Sequence, residues 1–159
     1  LKTAKTEKIG IISDTHGLLR PEVIERLQGV SRILHAGDVG SPEILDRLTN
    51  IAPLTVVRGN VDYQGTLGDL PLHEAMEVGE HLVYITHIQE EIDLDPETAE
   101  MSMVIFGHTH SPVIEQRGSI TWFNPGSVGP RRFSLPVSMG FLHLEEDGTL
   151  RPELVELDV

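Results

Sequence analysis

Short apolar runs recur along this chain, and several of them stop at a residue able to hold a metal ion. The run in Lys8 to Ser13, with Gly10-Ile11-Ile12, suits a strand buried on both faces, and Asp14-Thr15-His16-Gly17 follows as a loop. Val23, Ile24 and Leu27 then share one face of a helix that starts near Pro21, where a fixed φ suits the first turn, and Gly29 suits its C-terminal end. Ser31 to Ala36 repeats the plan as a strand that ends in Gly37-Asp38-Val39-Gly40. Ser41 is placed to cap a second helix, which begins at Pro42 and turns Ile44, Leu45 and Leu48 inward. A third strand, Leu54 to Val57, ends in Arg58-Gly59-Asn60. Strands alternating with helices of this length imply right-handed parallel crossovers with the strand C-termini on one edge. Asp14, Asp38 and Asn60 all fall on that edge.

Beyond Asp62 the pattern changes to a Gly- and Leu-rich loop and then to hairpins. His73 to Val78 and His81 to His87 are joined at Gly79-Glu80, Val113 to Gln116 and Ile120 to Phe123 turn at Arg117-Gly118, and Ser138 to Glu145 and Leu150 to Leu157 meet at Asp147-Gly148. Pro152 predicts an edge position for the last strand. Between the first two hairpins lie an acidic stretch, Gln89 to Glu100, with a short helix predicted from Asp95-Pro96, and the buried strand Met103 to Phe106. Crossovers followed by hairpins imply two packed sheets flanked by helices.

A chain of 159 residues is most simply one domain, and we assign residues 8–159 to it, setting residues 1–7 apart as a polar N-terminus expected to be frayed or processed. No apolar stretch approaches the roughly 18 residues of a membrane span, and the Lys-rich start is followed by too short an apolar run for a signal peptide, so a cytoplasmic location without a membrane partner is expected. The absence of cysteine excludes disulfides and thiolate ligands, which leaves N and O donors for any metal. With 12 Lys+Arg against 25 Asp+Glu, the formal charge of -13 disfavours long nucleic acid as a partner. Bound divalent cations would reverse that sign locally, so a small phosphate ester is still admitted.

Gly107-His108-Thr109-His110 closes the run Met103 to Phe106, and in extended backbone its two imidazoles share a face. Together with Asp14-Thr15-His16, Gly37-Asp38, Gly59-Asn60 and Thr86-His87, it reads as one polar cluster at five strand ends. Each member alone has an ordinary explanation: Asp14 and Asp38 as turn or cap residues, Asn60 as a left-handed turn, His87 as a satisfied core histidine, His108 and His110 as an exposed strand end. Their joint occurrence favours a site. His35 reads as a packing residue behind the ligands, and His73, His81 and His143 as residues of sheet faces. Arg131 is a candidate phosphate contact in the pair Arg131-Arg132, beside the plainer reading of a solvated loop. Ser127 lies in no Gly-x-Ser-x-Gly elbow and no glycine pattern forms a phosphate loop, which removes serine hydrolases and nucleotide-dependent kinases. The residues by themselves point to a polynuclear N/O metal site on a mixed α/β fold.

In order and across most of the chain, these motifs resemble those of the calcineurin-like metallophosphoesterases. With Asn124-Pro125-Gly126-Ser127 and so short a length, the chain is similar to the small bacterial and archaeal phosphodiesterase branch. The resemblance implies a four-layer α/β/β/α sandwich of two mixed sheets flanked by helices. It implies two divalent transition-metal ions, with Asp14, His16 and His110 at the first, Asp38 bridging, and Asn60, His87 and His108 at the second. Manganese is the leading expectation for such mixed imidazole and carboxylate ligation, with Ni, Zn, Fe or Co as alternatives. The implied activity is hydrolysis of small phosphodiesters by a metal-bridging hydroxide, with Asn60 also orienting the attacked phosphate.

Two departures from the family pattern stand out. Where many family phosphatases carry a histidine after Gly-Asn, this chain has Val61-Asp62, so the residue that would protonate the leaving group is missing. Asp62 is retained as the neighbouring catalytic candidate, and leaving groups of low pKa are the expected preference. After His87 the family usually has Gly; here Ile88 is followed by Glu90, Glu91, Asp93 and Asp95, which bears on the geometry around His87 and puts negative charge beside the cleft. A reading of a different class comes from a eukaryotic retromer subunit that resembles this branch and serves as a protein-interaction module. On that reading the chain is a non-catalytic, metal-binding interaction module. Its oligomeric state is left open.

Overall fold

A computed structural model describes residues 5–159, so residues 1–4 of the N-terminal stretch lie outside it. The chain enters through β1 (Glu7–Ile12), passes α1 (Pro21–Arg26) to β2 (Arg32–His35), and passes α2 (Pro42–Thr49) to β3 (Leu54–Val56), the three strands running parallel. β4 (His73–Val78) and β5 (His81–Thr86) then form a hairpin, β6 (Met103–Ile105) lies parallel to β5, and β7 (Val113–Arg117) turns back into β8 (Ile120–Asn124), which is parallel to β6. β9 (Ser138–Leu144) and β10 (Leu150–Glu156) return to pair antiparallel beside β1. The result is two mixed five-stranded sheets, in the orders β10-β9-β1-β2-β3 and β4-β5-β6-β8-β7. Pro152 sits on the edge strand β10, where a missing N–H costs the sheet no bond.

The central strands β1, β2, β5, β6 and β9 are largely buried on both faces because both faces are covered. Ile9, Ile11, Leu34, Leu142 and Leu144 of the first sheet meet Val83, Ile85, Met103, Ile105 and Phe123 of the second in the shared core. Each side chain fully buried there contributes about 1.5–3 kcal/mol. On the outer face of the first sheet Ile12, Ile33, Met139 and Phe141 pack against Val23 and Leu27 of the α1 segment and Ile44 and Leu48 of α2. On the outer face of the second, Tyr84, Val104 and Ile120 are covered by Ile92, Leu94 and Ala99.

That last cover differs from the expected helix. Residues 96–100 form turns, preceded by a 3₁₀ turn at Gln89–Glu91. The Asp95 carboxylate accepts from the Glu97 N–H and the Thr98 hydroxyl, one bond runs from the Ala99 N–H to the Asp95 carbonyl, and the chain bends at Glu100 with φ 58° to enter β6. The fourth layer is therefore built of turns. Three smaller differences have local causes. Glu7 opens β1, one residue ahead of the predicted strand, held by Leu144 across the sheet and by an ion pair with Arg32. Ser41 occupies the cap position of α2 without a side-chain bond to the helix. The β7–β8 hairpin pairs Arg117 with Ile120 and so turns at Gly118-Ser119.

Candidate metal centre

Six parallel strands, three in each sheet, end at the same edge of the sandwich, and their loops are sewn together by backbone bonds. The Asp14 N–H donates to the Gly37 carbonyl, His16 N–H to Asp38, Gly107 N–H to His87 and Val128 N–H to Ser13. Two groups of side chains converge there: Asp14, His16 and His110, and Asp38, His87 and His108. Asn60 joins the second group, its Oδ1 lying 3.0 Å from His87 Nε2 and 3.1 Å from His108 Nδ1. All seven residues expected as ligands are thus brought together. Asp14, Asp38, His87 and His110 are buried, His16 is half-buried, and Asn60 and His108 stand exposed at the mouth.

Each carboxylate has one oxygen tied to the protein and one turned inward. Asp14 Oδ2 accepts the Ser13 hydroxyl at 2.6 Å and the His108 N–H at 3.2 Å, while Oδ1 faces His110 Nε2 at 3.3 Å and His16 Nε2 at 3.5 Å. Asp38 Oδ1 accepts the Val61 N–H at 3.0 Å, while Oδ2 lies 3.2 Å from His87 Nε2 and 3.5 Å from His16 Nε2, between the two groups. Asp14 Oδ1, His16 Nε2 and both ring nitrogens of His110 are buried without a hydrogen-bond partner. Buried polar atoms normally have partners, so several orphans aimed at one point mark a place for a cation. The His87 ring adds to this. Its Nδ1 donates to the Ala36 carbonyl at 2.7 Å, which leaves Nε2 with a lone pair facing two further acceptors, Asp38 Oδ2 and Asn60 Oδ1. Three convergent acceptors are stable only around a proton or a metal.

Protonation in the metal-free fold follows from the same crowding. Burial alone would raise the Asp14 pKa, but the His110 and His16 rings facing its free oxygen and the charge of His87 outweigh it and hold the carboxyl well below the usual range. Burial likewise opposes the shift at Asp38, which still falls through its bond to His87. His16 is pushed up by the Asp14 carboxylate that faces it. His87 rises despite burial, because the Asp38 bond and the charges of Asp14 and Asp38 favour its cation.

The backbone is strained where the ligands sit. Among the described residues, seven non-glycine residues have positive φ, and five of them are Asp14, His16, Asp38, His108 and His110. Glycines admit the close approach: a Cβ on Gly107 would lie 2.7 Å from Asp14 Oδ2, and one on Gly59 would overlap the Asp38 carboxylate and backbone N. His35, fully buried, braces the site from behind. The Gly37 N–H donates to its Nδ1, so its Nε2–H donates to Thr15 Oγ1, which in turn donates to the Val39 carbonyl, and burial pulls the ring pKa down to about 4.

Two expected residues take other places. Asp62 is fully buried, and its oxygens accept the backbone N–H groups of Val39, Gly40 and Gly59 at 3.0–3.1 Å. It ties the Asp38 loop to the Asn60 loop. Arg131 bonds the Val159 carbonyl at 3.0 Å. The positive charge felt at His16 comes from its neighbour Arg132, which lowers the His16 pKa slightly against the larger rise. The structure also gives Asn124 and Ser127 a part that no spacing in the sequence revealed. Buried Asn124 donates to the Gly107 carbonyl and to Thr109 Oγ1, fixing the loop of His108 and His110, and the Ser127 hydroxyl donates to the Asp14 carbonyl at 3.0 Å.

Comparison with known proteins agrees with this geometry. A probable metallophosphoesterase of Methanocaldococcus jannaschii is 33% identical, over 96% of this chain and 83% of that protein. The structure of a novel archaeal phosphodiesterase superposes with a TM-score of 0.74 at 27% identity, over 93% of this chain and 99% of that one. Vacuolar protein sorting 29 of Cryptosporidium parvum shares the fold with a TM-score of 0.77 at 18% identity, over 97% of this chain and 99% of that one. The model of the calcineurin-like phosphoesterase superfamily domain matches residues 8–147, and the chain belongs to that family of metal-dependent phosphoesterases.

Proposed function

We propose that this protein is a dimetal phosphodiesterase acting on small phosphodiesters. The observation that carries this reading is the pair of half-satisfied carboxylates, each with one oxygen held by backbone or hydroxyl donors and the other aimed at histidine nitrogens. Asp14, His16 and His110 would hold one ion, Asn60, His87 and His108 the other, and Asp38 Oδ2 lies where it would serve both. Two divalent ions so held would supply an acidified water as hydroxide and positive charge against the ester oxygens. Imidazole and carboxylate donors without thiolate suit Mn first, then Ni, Zn, Fe or Co.

The chain's own residues do the rest. Asn60 turns Oδ1 toward His87 and His108, which leaves its amide N–H groups to donate to a phosphoryl oxygen at the mouth of the site. Where a leaving-group acid would be sought, the side chain is Val61, 39% exposed and apolar, while neighbouring Asp62 is spent on backbone N–H groups. Diesters whose leaving group departs without a proton are therefore the preferred substrates. The net charge of -13 keeps long nucleic acid away. No helix among the described residues is long and apolar enough to cross a membrane, and we place the activity in the cytoplasm.

The test is hydrolysis of bis-p-nitrophenyl phosphate by metal-stripped protein before and after addition of Mn, Ni or Zn, beside Asp38→Ala and Asn60→Ala. Turnover that returns with metal and collapses in both variants supports the proposal. The likeness of fold to vacuolar protein sorting 29 supports one other reading, a metal-binding interaction module without catalysis. Stoichiometric metal uptake with no turnover under any of these ions would favour it.

A further inference from the structure

A pocket of about 400 Å³ opens directly off the second ligand group, with Asn60 and His87 in its wall. That volume falls within the roughly 300–1,000 Å³ of small-molecule sites. Its other walls include Tyr63 and Ile88, beside the two places where this chain departs from the family pattern, together with Leu72, Arg58 and His73. Tyr63, two residues beyond Val61, stands 72% exposed, and Leu72 across the pocket is 49% exposed. Ile88, in place of the usual glycine after His87, lines the same space, with Glu91 beside it. An exposed aromatic ring and an exposed leucine, with half-buried Ile88, beside a phosphate site are suited to a flat ring, and the Glu91 carboxylate and Arg58 guanidinium of the lining offer it an acceptor and donors.

We propose that this pocket holds one ester substituent of the diester, and that the substituent is a planar ring of the nucleobase or aryl class stacked on Tyr63. This rests on the phosphodiesterase reading, and it names the substrate class of that site. The phosphate would lie against Asn60 and His87, and the ring would extend over Tyr63 toward Leu72 and Ile88.

The experiment measures binding of adenosine 5′-phosphate, ribose 5-phosphate and inorganic phosphate to the Mn-loaded protein by calorimetry, and their inhibition of bis-p-nitrophenyl phosphate turnover, in wild type, Tyr63→Ala and Tyr63→Phe. Adenosine 5′-phosphate is expected to bind about tenfold tighter than ribose 5-phosphate, with the difference lost in Tyr63→Ala and kept in Tyr63→Phe. Phosphate affinity stays the same in all three, because Tyr63 lies outside the ligand set. Equal affinity of the two sugar phosphates in wild type, or a base preference that survives Tyr63→Ala, would overturn the inference. A Tyr63-dependent preference in a protein without turnover would keep the ring site and remove the catalytic reading. Failure of every phosphate to bind would remove both.

Discussion

Where β1 and β2 begin, Glu7 receives Arg32 through both oxygens at 2.8 and 3.0 Å, Ser31 donates to the same carboxylate, and the His81 ring bonds Ser102 and the Gly148 carbonyl. Where the same two strands finish, Asp14 Oδ1, His16 Nε2 and His110 lack partners, and the residues that carry them are held at positive φ. One end satisfies its polar groups within the chain; the other withholds partners from them at a cost in stability. Such a site persists because short, fully buried strands leave its loops no room to relax. The contrast separates what holds the fold from what the fold holds.

The largest expected effect is at the unsatisfied end. Asp14→Ala and Asp38→Ala should each lower metal-dependent turnover by more than about 100-fold, beyond the cost of losing an outer partner, while circular dichroism shows the fold retained. Metal itself comes next: Mn at about 100 times its dissociation constant should stabilise the protein by about 2.7 kcal/mol in denaturant unfolding, and a chelator should remove the gain. Protons compete for the same nitrogens. His16 and His87 are raised above 6.5 in the metal-free fold, so their contribution to stability is present below that value and lost as pH rises through their folded pKa. Asp14 and Asp38 are lowered below 3.8, so theirs is present above that value and lost as pH falls through the folded pKa. Metal uptake should therefore tighten from mildly acidic to neutral pH and release protons, which calorimetry in buffers of different ionisation enthalpy measures.

Gly59→Ala, which drives a methyl into Asp38, should cost about 1–3 kcal/mol on unfolding and weaken metal binding as well. Asn124→Ala should lower metal affinity by about tenfold through the freed His108–His110 loop, with secondary structure unchanged. Arg32→Ala, at the satisfied end, should cost at most about 1 kcal/mol, less in high salt, and leave turnover as in wild type. A large loss of activity in this last variant would dissolve the contrast between the ends.

Much of this was legible residue by residue. Val23, Ile24 and Leu27, or Ile44, Leu45 and Leu48, repeat at helical spacing, and Gly79-Glu80 gives a hairpin turn by its own chemistry. The cover over the second sheet was not, because Asp95-Pro96 carries a helix-start signal whose hydrogen bonds are spent within its first turn while Ile92, Leu94 and Ala99 are drawn onto the sheet. Asp62 neighbours Asn60 in the chain, yet its bonds reach back to Val39 and Gly40. Arg131 and Arg132 are equivalent in sequence, and only the packing of the loop turns one to the C-terminal residue and leaves the charge of the other near His16.

Short-range pattern was enough for most of the strands, for α1 and α2, and for the residue types carried by the loops at their ends, because periodicity and turn chemistry act over a few neighbouring residues. Only the tertiary structure decided that β9 returns beside β1, and that His108 meets Asp14 across a separation of 94 residues. It also left Asp14 Oδ1 and the ring nitrogens of His110 without partners. Those outcomes depend on how two sheets pack, a sum of many weak apolar contacts that no short stretch contains.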